Sequence, residues 1–350
     1  MIRFGKSYWI SLLVIIFSQA CDGQVTKVSD YHFTADFNAV GLVYHRFGDN
    51  RYPTTNTTKQ LFEQQLKYLN DNHIKTFTIN QLSLNQDSGN QKVFITVDDG
   101  FVSFYKNGFP LLKKYNCKAT IFINTESVGW SDYMNWEQIK ELVKAGIQIG
   151  SHSHAHSYFL NISKEERIQA FIEDLEKSEQ LFLEHLGFVP KVYAYPYGEF
   201  DNTMERVLKE RGYNLAFAQN SGVWDCNSNL YAIPRFPASG AHFGMDKFTQ
   251  RIAMKSLPIQ TNEPGPIVLS AQQKYSIELR LDDSNNFSSL NCFFNNQYEP
   301  KLFTIKDGVI NVNITMPANK RRALLTFTSK SKNGDWYWWS MLFINPKYLN

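Results

Sequence analysis

The sequence predicts an α/β chain, a distorted (β/α) barrel followed by a smaller β-sandwich-like domain. Three observations carry this. From Ala39 to Leu257 short apolar stretches alternate with amphipathic helical ones. Reactive polar residues stand just after several of the apolar stretches. Beyond Leu257 the helical periodicity gives way to alternating strands. Strand–helix alternation builds a parallel sheet covered by helices, and loops at the strand C-terminal ends are where such barrels build their sites. A chain of 350 residues has room for both units.

The elements follow in order. Ala39 to Tyr44 reads as a strand, and Thr58 caps a helix with Phe62, Leu66 and Leu69 on one face. Lys92 to Val97 is a strand ending in Asp98-Asp99-Gly100, and Ala119 to Ile123 is another. Asn135, with Gln138 three residues on, caps a helix that Gly146 ends. Ile147 to Ile149 is a strand running into Ser151-His152. Ser163 and Glu166 form a capping box for a long helix to Leu186, with Ile168, Phe171, Leu175 and Phe182 at helical spacing. A strand at Lys191 to Tyr195, a helix at Thr203 to Arg211 and a strand at Leu215 to Ala218 complete the alternation.

Pro258, Pro264, Gly265 and Pro266 mark a linker over 258–266. It separates the first domain, 39–257, from an all-β accessory domain, 267–350. The strands of the latter are Tyr275 to Leu281, Asn291 to Phe294, Val309 to Thr315, Ala323 to Thr328 and Trp336 to Phe343. The run Trp336-Tyr337-Trp338-Trp339 invites a carbohydrate-binding reading. On a strand, however, alternate residues face opposite ways, so packing is favoured over binding.

At the N-terminus, Arg3 and Lys6 precede the apolar run Tyr8 to Phe17 and then Ser18-Gln19-Ala20, the pattern of a cleavable export signal over 1–20. The run is short for a membrane span. Cys21 follows the cut, as in a lipidated bacterial lipoprotein, although Ser18 stands where Leu is usual; a polar segment, 21–38, comes next. The expected location is therefore the periplasm or cell envelope of a bacterium, with membrane attachment through Cys21 as one option. Removing the signal takes two of 36 basic residues, leaving 34 against 33 acidic ones. Such a balance gives no case for nucleic-acid binding. The other cysteines, Cys117, Cys226 and Cys292, are odd in number and show no CxxC spacing, so neither a zinc knuckle nor a disulfide framework is indicated.

The chemistry concentrates in Thr96-Val97-Asp98-Asp99-Gly100 and His152-Ser153-His154-Ala155-His156. Hydrolytic zinc is commonly held by three protein ligands with a position left open, and two imidazoles with one carboxylate satisfy that count. Asp-Asp-Gly alone is a frequent turn, and a histidine-rich loop alone could bind metal adventitiously. Both at strand ends make a purely structural role improbable. The set suits Zn2+ but also Co2+, Ni2+ or Fe2+.

These motifs resemble those of the NodB-type polysaccharide deacetylases, carbohydrate esterase family 4, from Ala39 to Leu257. The resemblance implies Asp98 as catalytic base, Asp99, His152 and His156 as metal ligands, and Ser153 as a brace of the loop; His154 falls at a variable position. The family's Arg-x-Pro-Tyr motif stands here as Ala194-Tyr195-Pro196-Tyr197. The Tyr197 backbone N–H can still bind the oxyanion, but the arginine that orients the base is missing. Arg235, in Ile233-Pro234-Arg235-Phe236, is a substitute from another loop; a surface ion-pair former is the competing reading. The usual Leu-x-Leu-His motif of the general acid is also missing. His45, after the strand Gly41-Leu42-Val43-Tyr44, is the preferred acid and His242 the alternative, with a buried structural histidine as the rival role for His45. The Val-Tyr-His arrangement and the Tyr-Pro-Tyr-Gly form resemble poly-β-1,6-N-acetylglucosamine deacetylases of biofilm systems.

The resemblance thus implies metal-dependent removal of N-acetyl groups from an exported amino-sugar polysaccharide, releasing acetate. Tyr44, Trp130, Tyr133 and Trp136 are candidates to line a sugar cleft, Trp130 foremost and Trp136 better suited to the core. Two alternatives stand beside this: a silent glycan-binding or export-assisting protein on the same scaffold, and a deacetylase of peptidoglycan, chitin-like chains or O-acetylated xylan.

Overall fold

The computed structural model describes residues 33–34, 36–84, 92–263, 265–282 and 287–348. The export signal, Cys21, most of the polar segment and Pro264 lie outside those residues. Parallel strands run side by side in the order Asn38–Tyr44, Lys92–Val97, Thr120–Ile123, Gln148–Ser151, Val192–Ala194 and Leu215–Phe217. Nearly every residue in them is buried, as happens when both faces of a parallel sheet are covered. Their composition, rich in Val, Ile, Leu and Phe, is the sequence counterpart of that burial.

The sheet curls, and a short segment spans its outer strands. Ile233 bridges Phe217 in parallel, while Phe236 and Pro237 pair with Leu42 and Val43. Backbone bonds from Ala218 N to Ile233 O and from Ala238 N to Val43 O, both 2.9 Å, pin the segment at each end. The distorted barrel expected from the alternation is therefore present. Sequence patterning did not show how it is completed, because the closing segment is too short to carry a period. Val223–Asp225 adds an antiparallel strand on Asn38–Val40.

The covering helices follow their capping residues. Thr58 accepts from Leu61 N and starts Lys59–Asp71, which buries Phe62, Leu66 and Leu69. Asn135 and Gln138 make a reciprocal capping box for Trp136–Lys144. Ser163 caps Lys164–Leu186, which ends at a left-handed Gly187. Here the expected box is modified: the Glu166 carboxylate accepts from the Ser163 hydroxyl at 2.9 Å. Asp201 caps Asn202–Glu210, one residue earlier than the sequence suggested. The helix Met245–Ile252 was not anticipated; Gly244 stands at its N-cap without a side-chain bond, so the usual start signal is absent.

The C-terminal part is two facing sheets. One contains Phe287–Phe294, Arg322–Ser331 and Trp336–Ile344, the other Lys274–Leu281, Phe303–Lys306 and Val309–Thr315. Their inward residues, among them Leu279, Ile310, Val312, Leu325, Phe327 and Phe343, share one core. Lys255–Ser256 pairs with Tyr337–Trp338, so the first sheet reaches back to Lys255. The aromatic run packs as alternation requires. Tyr337 and Trp339 join the sandwich core, whereas Trp338 leans on the barrel, donating from Nε1 to Ser221 O at 2.9 Å under the Arg251 guanidinium. Cys117, Cys226 and Cys292 are free thiols.

Candidate active site

Asp98 follows directly on the strand Lys92–Val97, and its N–H donates to Tyr44 O at 2.9 Å. Its side chain has no exposure. A buried carboxylate is costly unless paired and hydrogen-bonded. Arg235 supplies both: Nη1 reaches Oδ1 at 2.7 Å and Nη2 reaches Oδ2 at 2.9 Å. The guanidinium is itself satisfied by Thr96 Oγ1 and Ala218 O, each at 3.0 Å. Burial alone would raise the Asp98 pKa; the Arg235 charge outweighs it, with help from His152 and His45, and holds the carboxyl below its usual range. Arg235 is therefore no surface ion-pair former. It projects inward from the segment that closes the barrel.

Asp99 turns away from this pair with φ of 74°. Its Oδ1 lies 3.3 Å from His152 Nε2 and 3.3 Å from His156 Nε2, and the two imidazole nitrogens are 3.2 Å apart. A tetrahedral zinc at about 2.0–2.1 Å from its ligands requires ligand atoms about 3.3–3.4 Å apart. The triangle fits such an ion. Its electrostatics agree. His152 Nδ1 sits 2.7 Å from Ala194 O and donates to it, which turns Nε2 towards the triangle, where it can give a lone pair to a cation. Without an ion between them, burial disfavours a charged ring, but the Asp99 carboxylate outweighs it and holds the His152 pKa above its usual value. His152 is 1% exposed, whereas His156 and Asp99 retain 21% and 18%, so the triad opens to solvent on their side.

The loop between the histidines is braced. Ser153 Oγ accepts from His156 N at 2.8 Å, and both Ser153 and His156 take positive φ. Asp174, on the buried face of Lys164–Leu186, accepts from His154 N at 2.7 Å and Ala155 N at 2.8 Å. The His154 ring bonds Thr125 Oγ1 at 3.0 Å. Asp174 was missed in the sequence, although a detectable signal exists: an acid inside the apolar stripe Phe171, Leu175 and Phe182.

His45 follows Asn38–Tyr44, and its charge acts on both Asp98 and Asp99. Its Nδ1 is buried with no hydrogen-bond partner among the described residues. His242 is exposed and lines a separate hollow with Pro53, Ser239 and Lys247. Tyr197 lies at the tip of the turn Pro196–Gly198, its ring edge-on to His156 at 4.6 Å. Burial, reinforced by Tyr158, pushes its phenol well above the usual value, so it stays protonated. Tyr158, stacked on Tyr197 at 3.6 Å, had no sequence signal.

Of the aromatics expected to line a cleft, Tyr44 does not. It is 1% exposed with its hydroxyl donating to Gln65 Oε1 at 2.9 Å, because its strand places the ring under the helix Lys59–Asp71, against Phe62. Trp136 packs against Phe182 and His185. Trp130 is 56% exposed, edge-on to Tyr133, whose phenol is pushed up by burial and by the Asp99 charge.

A curled parallel sheet thus carries, at its strand ends, a carboxylate and histidine set able to hold a metal ion beside the arginine-held Asp98. A polysaccharide deacetylase family profile matches residues 85–216. The poly-β-1,6-N-acetyl-D-glucosamine N-deacetylase of Staphylococcus aureus (strain MRSA252) is 28% identical over 228 residues, 61% of this chain and 79% of that protein. The structure of IcaB from Ammonifex degensii, 28% identical, superposes with a TM-score of 0.54 over 63% of this chain and 98% of its own. The Streptococcus pyogenes deacetylase PplD in complex with acetate shares the fold at 21% identity, with a TM-score of 0.55 over 62% of this chain and 99% of its own. Residues 85–216 thus carry a polysaccharide deacetylase domain, the chain resembles the NodB-type polysaccharide deacetylases, and it is an enzyme.

Proposed function

We propose that this protein is a metal-dependent deacetylase that removes N-acetyl groups from an exported polysaccharide of the poly-β-1,6-N-acetylglucosamine type, releasing acetate. The observation that carries the reading is the Asp99–His152–His156 triangle set beside the arginine-held Asp98. Asp99, His152 and His156 would hold the ion, with Zn2+ best suited to the donor set and Co2+, Ni2+ or Fe2+ compatible with it. Such an ion, when bound, acidifies water and draws electron density from a carbonyl oxygen.

The chain's own groups supply the rest. Asp98 is the base: Arg235 occupies one lone pair on each of its oxygens, leaving others to accept the proton of the attacking water. The Tyr197 N–H donates to the oxyanion as charge develops on the former carbonyl oxygen. His45 gives a proton to the nitrogen as the carbon–nitrogen bond breaks, yielding acetate and a free amine. Its electrostatic reach to both aspartates supports this role over the exposed His242. Similarity to the Staphylococcus aureus enzyme supports the amino-sugar polymer as substrate. The basic, apolar N-terminal pattern supports export to the envelope of a bacterium, free or attached through lipidated Cys21.

Acetate release from β-1,6-linked and β-1,4-linked N-acetylglucosamine oligomers, with and without a chelator, tests the reading. Preference for the β-1,6 series, abolished by chelation and restored by zinc, is expected. Chelator-insensitive release, or none from either series, would sink it; a preference for β-1,4 links would move the substrate to a chitin-like chain.

A further inference from the structure

Arg321 and Arg322 reach the Tyr197 turn from the sandwich, at the start of the strand Arg322–Ser331. Arg321 is 3% exposed and all three of its side-chain nitrogens are engaged. Nε and Nη2 hold the two Glu199 oxygens at 2.8 and 2.6 Å, while Nη1 donates to Pro346 O and Tyr348 O at 3.1 and 3.2 Å. Its guanidinium carbon lies 4.3 Å from the centre of the Tyr158 ring, which stacks on Tyr197, which meets His156. A column of rings thus runs from the sandwich to a histidine of the triad. Beside it, Arg322 Nη1 donates to Tyr197 O at 2.9 Å.

Tyr197 needs such support. Its φ of 59° and ψ of 4° are left-handed. A residue other than glycine there is strained and persists only where its surroundings hold it. Relaxation requires the Pro196–Tyr197 peptide to rotate, which turns the Tyr197 N–H out of its present direction. Arg322 opposes that rotation by fixing the carbonyl on the other side of the same residue. Gly198 seats the turn closely, since a Cβ there would meet Gln219 N at 2.5 Å.

We propose that the C-terminal sandwich is a working part of the active site: Arg322, backed by Arg321, positions the Tyr197 turn so that its N–H meets the oxyanion. The proposal rests on the deacetylase reading above. Both arginines are positioning residues, acting through the turn. The sandwich therefore contributes to the rate of the reaction, whatever else it binds.

The test uses the full chain carrying Arg322→Met or Arg322→Lys. The Arg322 side chain is 38% exposed and Glu199 keeps its Arg321 partner, so neither change buries an unpaired charge. An N–H displaced from the oxyanion should lower kcat by roughly 10-fold while KM stays within about 2-fold. Bound zinc and the thermal midpoint should hold, amide exchange over residues 195–199 should quicken, and Arg322→Lys should recover most of the rate. Unchanged kcat in Arg322→Met, or a loss that tracks zinc or thermal stability, overturns the proposal. If the unmodified chain releases no acetate, the deacetylase reading fails separately. The exchange comparison then still decides the clamp: faster exchange in Arg322→Met upholds it and equal protection overturns it.

Discussion

Arg235 and Asp98, 137 residues apart in the chain, meet as a two-pronged ion pair in which neither side chain is exposed. The pair couples the base to the barrel wall. Replacing Arg235 with Lys keeps a charge but loses the fork, so the Asp98 pKa should rise towards its ordinary value or beyond. A base works only when ionised. The acidic limb of the kcat/KM profile should therefore move to higher pH, by about 1 unit or more. A limb that stays in place would refute this role for Arg235.

The same pair predicts a stability effect with a definite sign. Asp98 has a depressed folded pKa, so its contribution is present above the unfolded value near ~3.9 and is lost as pH falls through the folded one. Arg235→Met leaves a buried carboxylate uncompensated and should cost about 3–5 kcal/mol at neutral pH. The deficit should shrink in acid, where the variant's Asp98 takes up a proton. Urea midpoints at neutral and acidic pH measure both quantities.

Asp98→Asn should retain the metal and lose at least ~10²-fold in kcat, the usual weight of a general base. His152→Ala should lose metal and activity together, because one corner of the triangle disappears. Metal content by elemental analysis, set against initial rates, separates the two. An active Asp98→Asn enzyme would leave the base unassigned.

His45 and His242 make opposite predictions. His45→Ala should reduce kcat by roughly 10²-fold with the metal in place, as expected for a general acid. His242→Ala, at an exposed position away from the triad, should change kcat little. The reverse pattern would transfer the role to His242.

Asp174→Asn should weaken zinc binding by about 10-fold, within the usual range for groups that hold a metal ligand in place. The carboxylate accepts one N–H on each oxygen, whereas an amide can accept on only one and turns a donor towards the other. Competition with a chelating indicator measures the affinity directly. Wild-type affinity in the variant would show that the loop needs no such brace.

Legibility in the sequence followed locality. Asp98, Asp99, His152 and His156 lie in two short runs at the ends of strongly apolar strands, and residue type, spacing and position all pointed the same way. The capped helices Lys59–Asp71 and Trp136–Lys144 were legible for the same reason. Arg235 was only half legible: its charge was visible, but its inward direction depends on how the segment Ile233–Pro237 bridges two strands. Arg321 and Arg322 gave no signal at all. Their partners Glu199 and Tyr197 are more than a hundred positions away, in another layer of the fold, and no periodicity records such a meeting.

The bridging segment Ile233–Pro237 has one more consequence. It is the last piece of the barrel to be supplied by the chain, and it carries the only guanidinium that touches Asp98 among the described residues. Until it seats, only His152 and His45 oppose the cost of burying that carboxylate, so it holds a proton more readily. Completion of the barrel and ionisation of the base are thereby coupled, and an unfinished or misassembled copy carries a weakened base.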